Sequence, residues 1–298
     1  MIMVAAHLPA QTTTQVGAET LGGAIDPIII DIDPAALPPV KQWQPGDPIK
    51  EVPMQQDKLV KPPAREPRGF GLDPLLDRQL AASRNAQGGD AEFGNLLINQ
   101  AGLDFTGVNP SDTIGDVGNE YYIQMINTGS GAGSIEVLIL DKTDGTQAIP
   151  PFNLADLAAG AGGDCANGRG DPIINFDETA DNGPGNLPGR WVLSEMNNSS
   201  FCVYVSQNSD PTSGQWFLYE FTSATGGLPD YPKYGVWPDA YYIGANEPAG
   251  TPRVYSIDRI NLLAGNTARP AQVFVGSNLP GFGFQHIMPV DWDGDIAP

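Results

Sequence analysis

The chain has 298 residues but only 15 lysines and arginines, two histidines and two cysteines. Each scarcity excludes something. Against 35 acidic residues, the few basic ones leave a formal charge of −20, so DNA, RNA or an anionic membrane surface would be repelled. The same carboxylate excess suits divalent cations or salty surroundings, and equally it suits plain solubility. His7 and His286 are isolated, and the sequence contains no GxSxG, HExxH, P-loop or dinucleotide fingerprint. Zinc-protease, nucleotide and nucleophile-elbow hydrolase chemistry are therefore disfavoured. No run of 18 apolar residues occurs, so no helical membrane span is expected. The opening MIMVAAHLPA lacks a basic region and a long enough apolar core for a leader, so an exported product would carry its signal elsewhere or have lost it.

Cys165 and Cys202 sit in no CxxC or Cys/His cluster. A single disulfide is the leading reading. It would close a loop of about 37 residues and stabilise by about 3–4 kcal/mol in an oxidising compartment. Two free buried thiols are the alternative.

Turn formers are abundant. Gly (36) and Pro (28) exceed a fifth of the chain while charged residues make up 17%, a balance that favours short strands over long surface helices. Residues 1–104 read as an extended Pro- and Gln-rich arm, with an apolar island at Ile28–Ile32 able to add a strand to a sheet edge and a short helix at 72–80. Residues 105–298 read as a β domain. Its clearest strands are Tyr121–Ile126, Ile135–Leu140, Ile173–Phe176, Trp191–Ser194, Phe201–Ser206, Trp216–Phe221, Tyr241–Gly244, Arg253–Ile257 and Gln272–Val275. Leu154–Ala159 and Arg259–Ala264 look like short helices.

An imperfect repeat links GDVGNEYYIQMIN, GDPIINFDETADNG and YGVWPDAYYIGANE, each followed by further strands. Units of about 50–60 residues with about four strands are the mark of β-propeller blades, whose apolar faces need neighbours. Three blades fit, with a partial fourth from Phe284. An incomplete ring would be finished by a C-terminal remainder of the same product, by other copies, or by another chain. These stretches, with RWVLSEM, FCVYVSQNSDPTSGQWFLYEF and RVYSIDRINLLAG, resemble a family of large secreted bacterial proteins with propeller-like repeats. The resemblance covers roughly 105–298 and implies an extracellular location, a Cys165–Cys202 disulfide, and a longer turn where NGPGNLPG (182–189) is inserted. It brings no activity with it.

Several constellations could carry chemistry. Asp291, Asp293 and Asp295 have the DxDGD spacing of calcium loops, without the Glu that usually closes them, and a metal-free acidic turn competes. Gly115-Asp116, Gly170-Asp171 and Pro238-Asp239 begin successive repeats. Asp171 and Asp239, with Glu195, are thus the candidate catalytic carboxylates, and turn capping is the competing reading. Arg169-Gly170-Asp171 spells an adhesive tripeptide, and Asn197 and Asn198 begin sequons that suggest an exposed loop. Among the aromatics at 231–242, Trp237, Tyr234 and Tyr241 are candidate ligand contacts, stacking on a sugar or proline, unless strand alternation buries them.

These readings point first to a secreted or cell-surface binding module whose partner is a glycan or an extracellular protein. A carbohydrate-active hydrolase or lyase is the second expectation. The third is a self-assembling filament or surface layer, joined by strand addition from the arm.

Overall fold

The computed structural model describes residues 17–51, 98–129, 135–161, 163–248, 251–277 and 286–292. In chain order its strands are β1 (Ala18–Leu21), β2 (Ile28–Asp31), β3 (Lys50–Glu51), β4 (Val108–Asn109), β5 (Ile114–Val117), β6 (Tyr121–Asn127), β7 (Ile135–Asp141), β8 (Phe152–Asn153), β9 (Gly170–Asp177), β10 (Arg190–Met196), β11 (Ser200–Ser206), β12 (Gln215–Thr222), β13 (Asp230–Val236), β14 (Tyr241–Asn246), β15 (Arg253–Ile257) and β16 (Ala271–Val275). The one α-helix among the described residues is α1 (Arg259–Ala264); Leu154–Ala158 forms a 3-10 turn. Each run named above as a clear strand lies in one, whereas the start of a fourth unit read from Phe284 is not a strand over its described residues, His286–Met288. The suggested helix at 72–80 lies outside the described residues.

The fold is all-β, built of antiparallel sheets apart from one short parallel pair, β3 with β4. Three meanders follow one another: β5-β6-β7-β8, then β9-β10-β11-β12, then β13-β14-β15-β16. Their first strands are neighbours, with β9 lying against β5 on one side and β13 on the other. The middle sheet is thereby covered on both faces, and all of β11 is buried.

Strand alternation explains how one sheet serves two cores. Successive side chains point to opposite faces. Thus Trp191, Leu193, Cys202, Tyr204, Trp216 and Leu218 join Ile123, Met125 and Val137 of the first sheet. Their neighbours Val192, Phe201, Val203, Val205 and Tyr219 pack instead on Tyr234, Ile243 and Tyr255 of the third. Burying each such large apolar side chain stabilises by about 1.5–3 kcal/mol, so neither sheet face is optional. Cys165 and Cys202 are joined in a disulfide, with Cα atoms 5.6 Å apart, inside the first of these cores.

The segment read as an arm is woven into the sheets over its described N-terminal part. β2 pairs antiparallel with the outer edge of β12, and β1 does the same for β16. The apolar island at Ile28–Ile30 therefore adds its strand within its own chain. Ile30 is buried and Ile29 faces outward. These additions occupy backbone donors and acceptors that would otherwise be open to other chains. Nearer the first sheet, Leu103 N–H donates to Gln124 Oε1 and Gln42 Nε2 donates to Glu136 Oε1, so other parts of residues 17–104 cover its outer face.

Candidate functional site

Each meander opens on a residue with a left-handed backbone: Asp112 (φ 41°), Asp171 (φ 52°) and Tyr231 (φ 54°). This corrects the repeat alignment read from sequence. Gly170-Asp171 matches Ser111-Asp112 and Asp230-Tyr231, because Asn127 N–H bonds Ser111 while Met196 and Asn246 pair with Gly170 and Asp230. Asp116 instead lies within β5, opposite Ile123, and Asp239 lies in the turn after β13.

The link between neighbouring sheets is a carboxylate accepting a backbone N–H. Asp116 Oδ2 accepts from Phe176 N at 2.7 Å, and Asp171 Oδ2 accepts from Tyr231 N at 2.9 Å. Asn127 ties the first two sheets at the other end of β9, beside Asp171. Its Nδ2 donates to Pro110 O and Asp112 Oδ2, and its Oδ1 accepts from Asp171 N. Gly170 (φ +114°) is required beside it, since a Cβ there would lie 2.7 Å from Asn127 Oδ1.

Asp112, Asp171 and Asp230 gather with Lys233 at the starts of the first strands. Burial, then the charges of Asp112 and Asp230, push the Asp171 carboxyl up to about 7, against the opposing pull of the Tyr231 N–H and Lys233. Burial lowers Lys233, whose ammonium donates to Pro232 O and lies 3.9 Å from the centre of the Tyr231 ring. The group can exchange a proton near neutral pH. Asp171 is only 9% exposed, however, and its carboxylate holds a backbone N–H.

The three catalytic candidates do not assemble. Glu195 is wholly buried against the disulfide, with Oε1 accepting from Tyr204 Oη at 3.2 Å; burial pushes its carboxyl up to about 8. Asp239 accepts from Tyr242 Oη. It lies beyond the far end of seven-residue β13, whose start touches Asp171. At roughly 3.3 Å per residue that separation is about 20 Å, against the roughly 5–10 Å between paired glycosidase carboxylates.

Of the ligand candidates, Tyr234 and Tyr241 are core residues. Tyr234 Oη is 2.7 Å from Ser194 Oγ, and Tyr241 Oη donates to Asp177 Oδ2. Neither ring offers a free face. Trp237 is half-buried; its indole N–H donates to Val290 O, and its ring meets Trp292 edge-on at 5.0 Å. Asp291 Oδ1 accepts from Val236 N at 2.6 Å, while Asp293 and Asp295 lie outside the described residues. Among the described residues no group of three His, Cys, Asp or Glu side chains could hold a metal ion. In the Arg-Gly-Asp tripeptide only Arg169 is exposed, and Asn197 is buried with its amide bonded to Ser199, Ser200 and Glu220.

Composition pointed to none of Asn127, Asp112, Asp230 or Lys233. The one available signal was the repeat itself, once its register is set by the left-handed residues. Two further features came only from folding. Arg259 forms a buried bidentate pair with Asp177 at 2.6 and 2.8 Å, joined by Tyr241, and this ties α1 to the middle sheet. A cavity of about 310 Å³ lies beside Trp43.

Compared with known proteins, the chain matches no family model, no curated protein and no solved structure.

Proposed function

We propose that the chain is an extracellular structural and binding module of propeller type, whose blade-like sheets hold a rigid acidic surface for a glycan or protein partner. The observation that carries this reading is the carboxylate-to-backbone link between successive sheets, from Asp116 to Phe176 and from Asp171 to Tyr231. Asp291 likewise accepts a backbone N–H, from Val236 at the end of β13. The disulfide supports an oxidising, secreted or surface location.

A hydrolase or lyase is the weaker reading, because its candidate carboxylates are buried or far apart. Assembly of a filament through the Ile28–Asp31 strand is weaker too, since that strand is already paired within the chain.

The test joins a glycan array to reducing-sugar release from the polysaccharides that bind. Binding without turnover is expected. Turnover that Asp171→Asn abolishes would replace the module with an enzyme.

A further inference from the structure

We infer that the cavity beside Trp43 takes the acidic end of a glycan, a uronic-acid residue. The inference rests on the reading of the chain as an extracellular binding module and names its ligand class.

The cavity lies between residues 41–50 and the strand before the first meander, and Lys41, Trp43, Ile49, Lys50, Thr106 and Gly107 are among its walls. Its roughly 310 Å³ is at the small end of ligand pockets, the size for a terminal sugar and not for a long chain. Trp43 is held in place before any ligand arrives. Its indole N–H donates to Asp47 O at 3.2 Å, its ring meets Phe105 edge-on at 5.1 Å, and Gly107 (φ +81°) has no Cβ because the indole fills that space. Ile49 in the cavity wall is 55% exposed, and Phe105, which backs the indole, is 43% exposed, so apolar surface around Trp43 faces solvent. An indole set in such a surface suits the C–H face of a pyranose.

The charge of the site runs against that of the whole. The chain carries −20, yet two of its 15 basic residues line this one cavity against a single carboxylate, Asp47. Lys41 lies 3.6 Å from Asp47. Lys50 has no carboxylate at ion-pair distance among the described residues, and neighbouring Glu51 is engaged by Asn109 Nδ2. An ammonium without a carboxylate, next to a fixed indole, matches a sugar that bears its own carboxylate, through a charge-assisted hydrogen bond. An acidic peptide would satisfy the lysine and leave the ring unused.

The test is calorimetric titration of the full chain with a galacturonic acid trisaccharide, its neutral galactose counterpart and a triglutamate peptide. Trp43→Ala, Lys50→Gln and, as control, Trp237→Ala are titrated alongside. Lys50 is exposed, so K50Q keeps the fold even if W43A does not. The acidic trisaccharide should bind at least tenfold more tightly than the other two, and both W43A and K50Q should lose at least tenfold while W237A is unchanged. Equal binding of the neutral sugar, preference for the peptide, or an unaffected K50Q overturns the site. Binding lost only in W237A overturns the site and leaves the module standing, whereas cleavage of the trisaccharide overturns the module and leaves the site as a subsite. No binding by any of the three overturns the site, and the module then rests on the array alone.

Discussion

Replacing Glu195 with Gln should flatten the dependence of stability on pH. Glu195 is fully buried, with a carboxyl raised from 4.5 to about 8 chiefly by burial and partly offset by the Tyr204 hydroxyl. Below pH 4.5 the folded and unfolded chains both carry its proton, and the residue adds no pH dependence. Between 4.5 and 8 the unfolded carboxyl ionises while the folded one keeps its proton. Stability therefore falls with rising pH by about 1.4 kcal/mol per unit, and the loss levels off above 8 at about 5 kcal/mol. Asp171, raised to about 7, adds a loss of the same sign that ends near pH 7. In E195Q the amide oxygen still accepts from Tyr204. The amide NH2 takes the place of Oε2, which has no partner, so the substitution brings a constant offset of about 1–3 kcal/mol. Urea unfolding at half-unit steps from pH 5 to 8.5 separates offset from slope. The variant should keep the decline due to Asp171 below pH 7 and be nearly flat above it. Curves for E195Q and the native chain that run parallel over the whole range would refute the assignment of a buried, protonated Glu195.

Four further outcomes follow from the same contacts. Asp177→Asn should cost about 3–5 kcal/mol, because it strands the buried Arg259 guanidinium; adding Arg259→Met should recover most of that, and a denaturant double-mutant cycle measures both. Asn127→Ala should cost about 3 kcal/mol by unfolding assay, since it orphans groups on Pro110, Asp112 and Asp171. Cys165→Ser with Cys202→Ser should lower stability by about 4 kcal/mol, and native protein scanned with and without reductant should show the same loss. Deleting residues 1–37 uncovers the outer edges of β12 and β16. Light scattering should then show concentration-dependent association, and a truncated chain that stays monomeric would rule out edge protection by β1 and β2.

Much of the fold was legible before folding was considered. The runs at Tyr121–Ile126, Ile135–Leu140 and Phe201–Ser206 are β-branched and aromatic, bounded by Gly, Asn and Asp, and local propensity suffices to make them strands. The cysteine pair followed from there being only two. The repeat was visible but misregistered, because Gly115-Asp116 looks like Gly170-Asp171 in letters while Asp112 shares its backbone geometry. Tyr234 and Tyr241 illustrate the same limit: alternation says that half of the aromatics turn inward, but only the neighbouring sheet determines which half.

The sequence alone therefore determined most of the central strands, the repeat period and the acidic charge, since these depend on residue type and near neighbours; it made a disulfide the leading reading, and only the fold brought Cys165 and Cys202, 37 residues apart, together. Tertiary structure decided what depends on contacts between distant residues. It sent Ile28–Asp31 to the edge of β12 in its own chain, buried Glu195 beside the disulfide, and placed Asp239 far from Asp171. It also brought Trp43 and Lys50 to one cavity. A carboxylate's proton affinity and a tryptophan's free face are set by whatever packs against them, and that is a property of the assembled sheets.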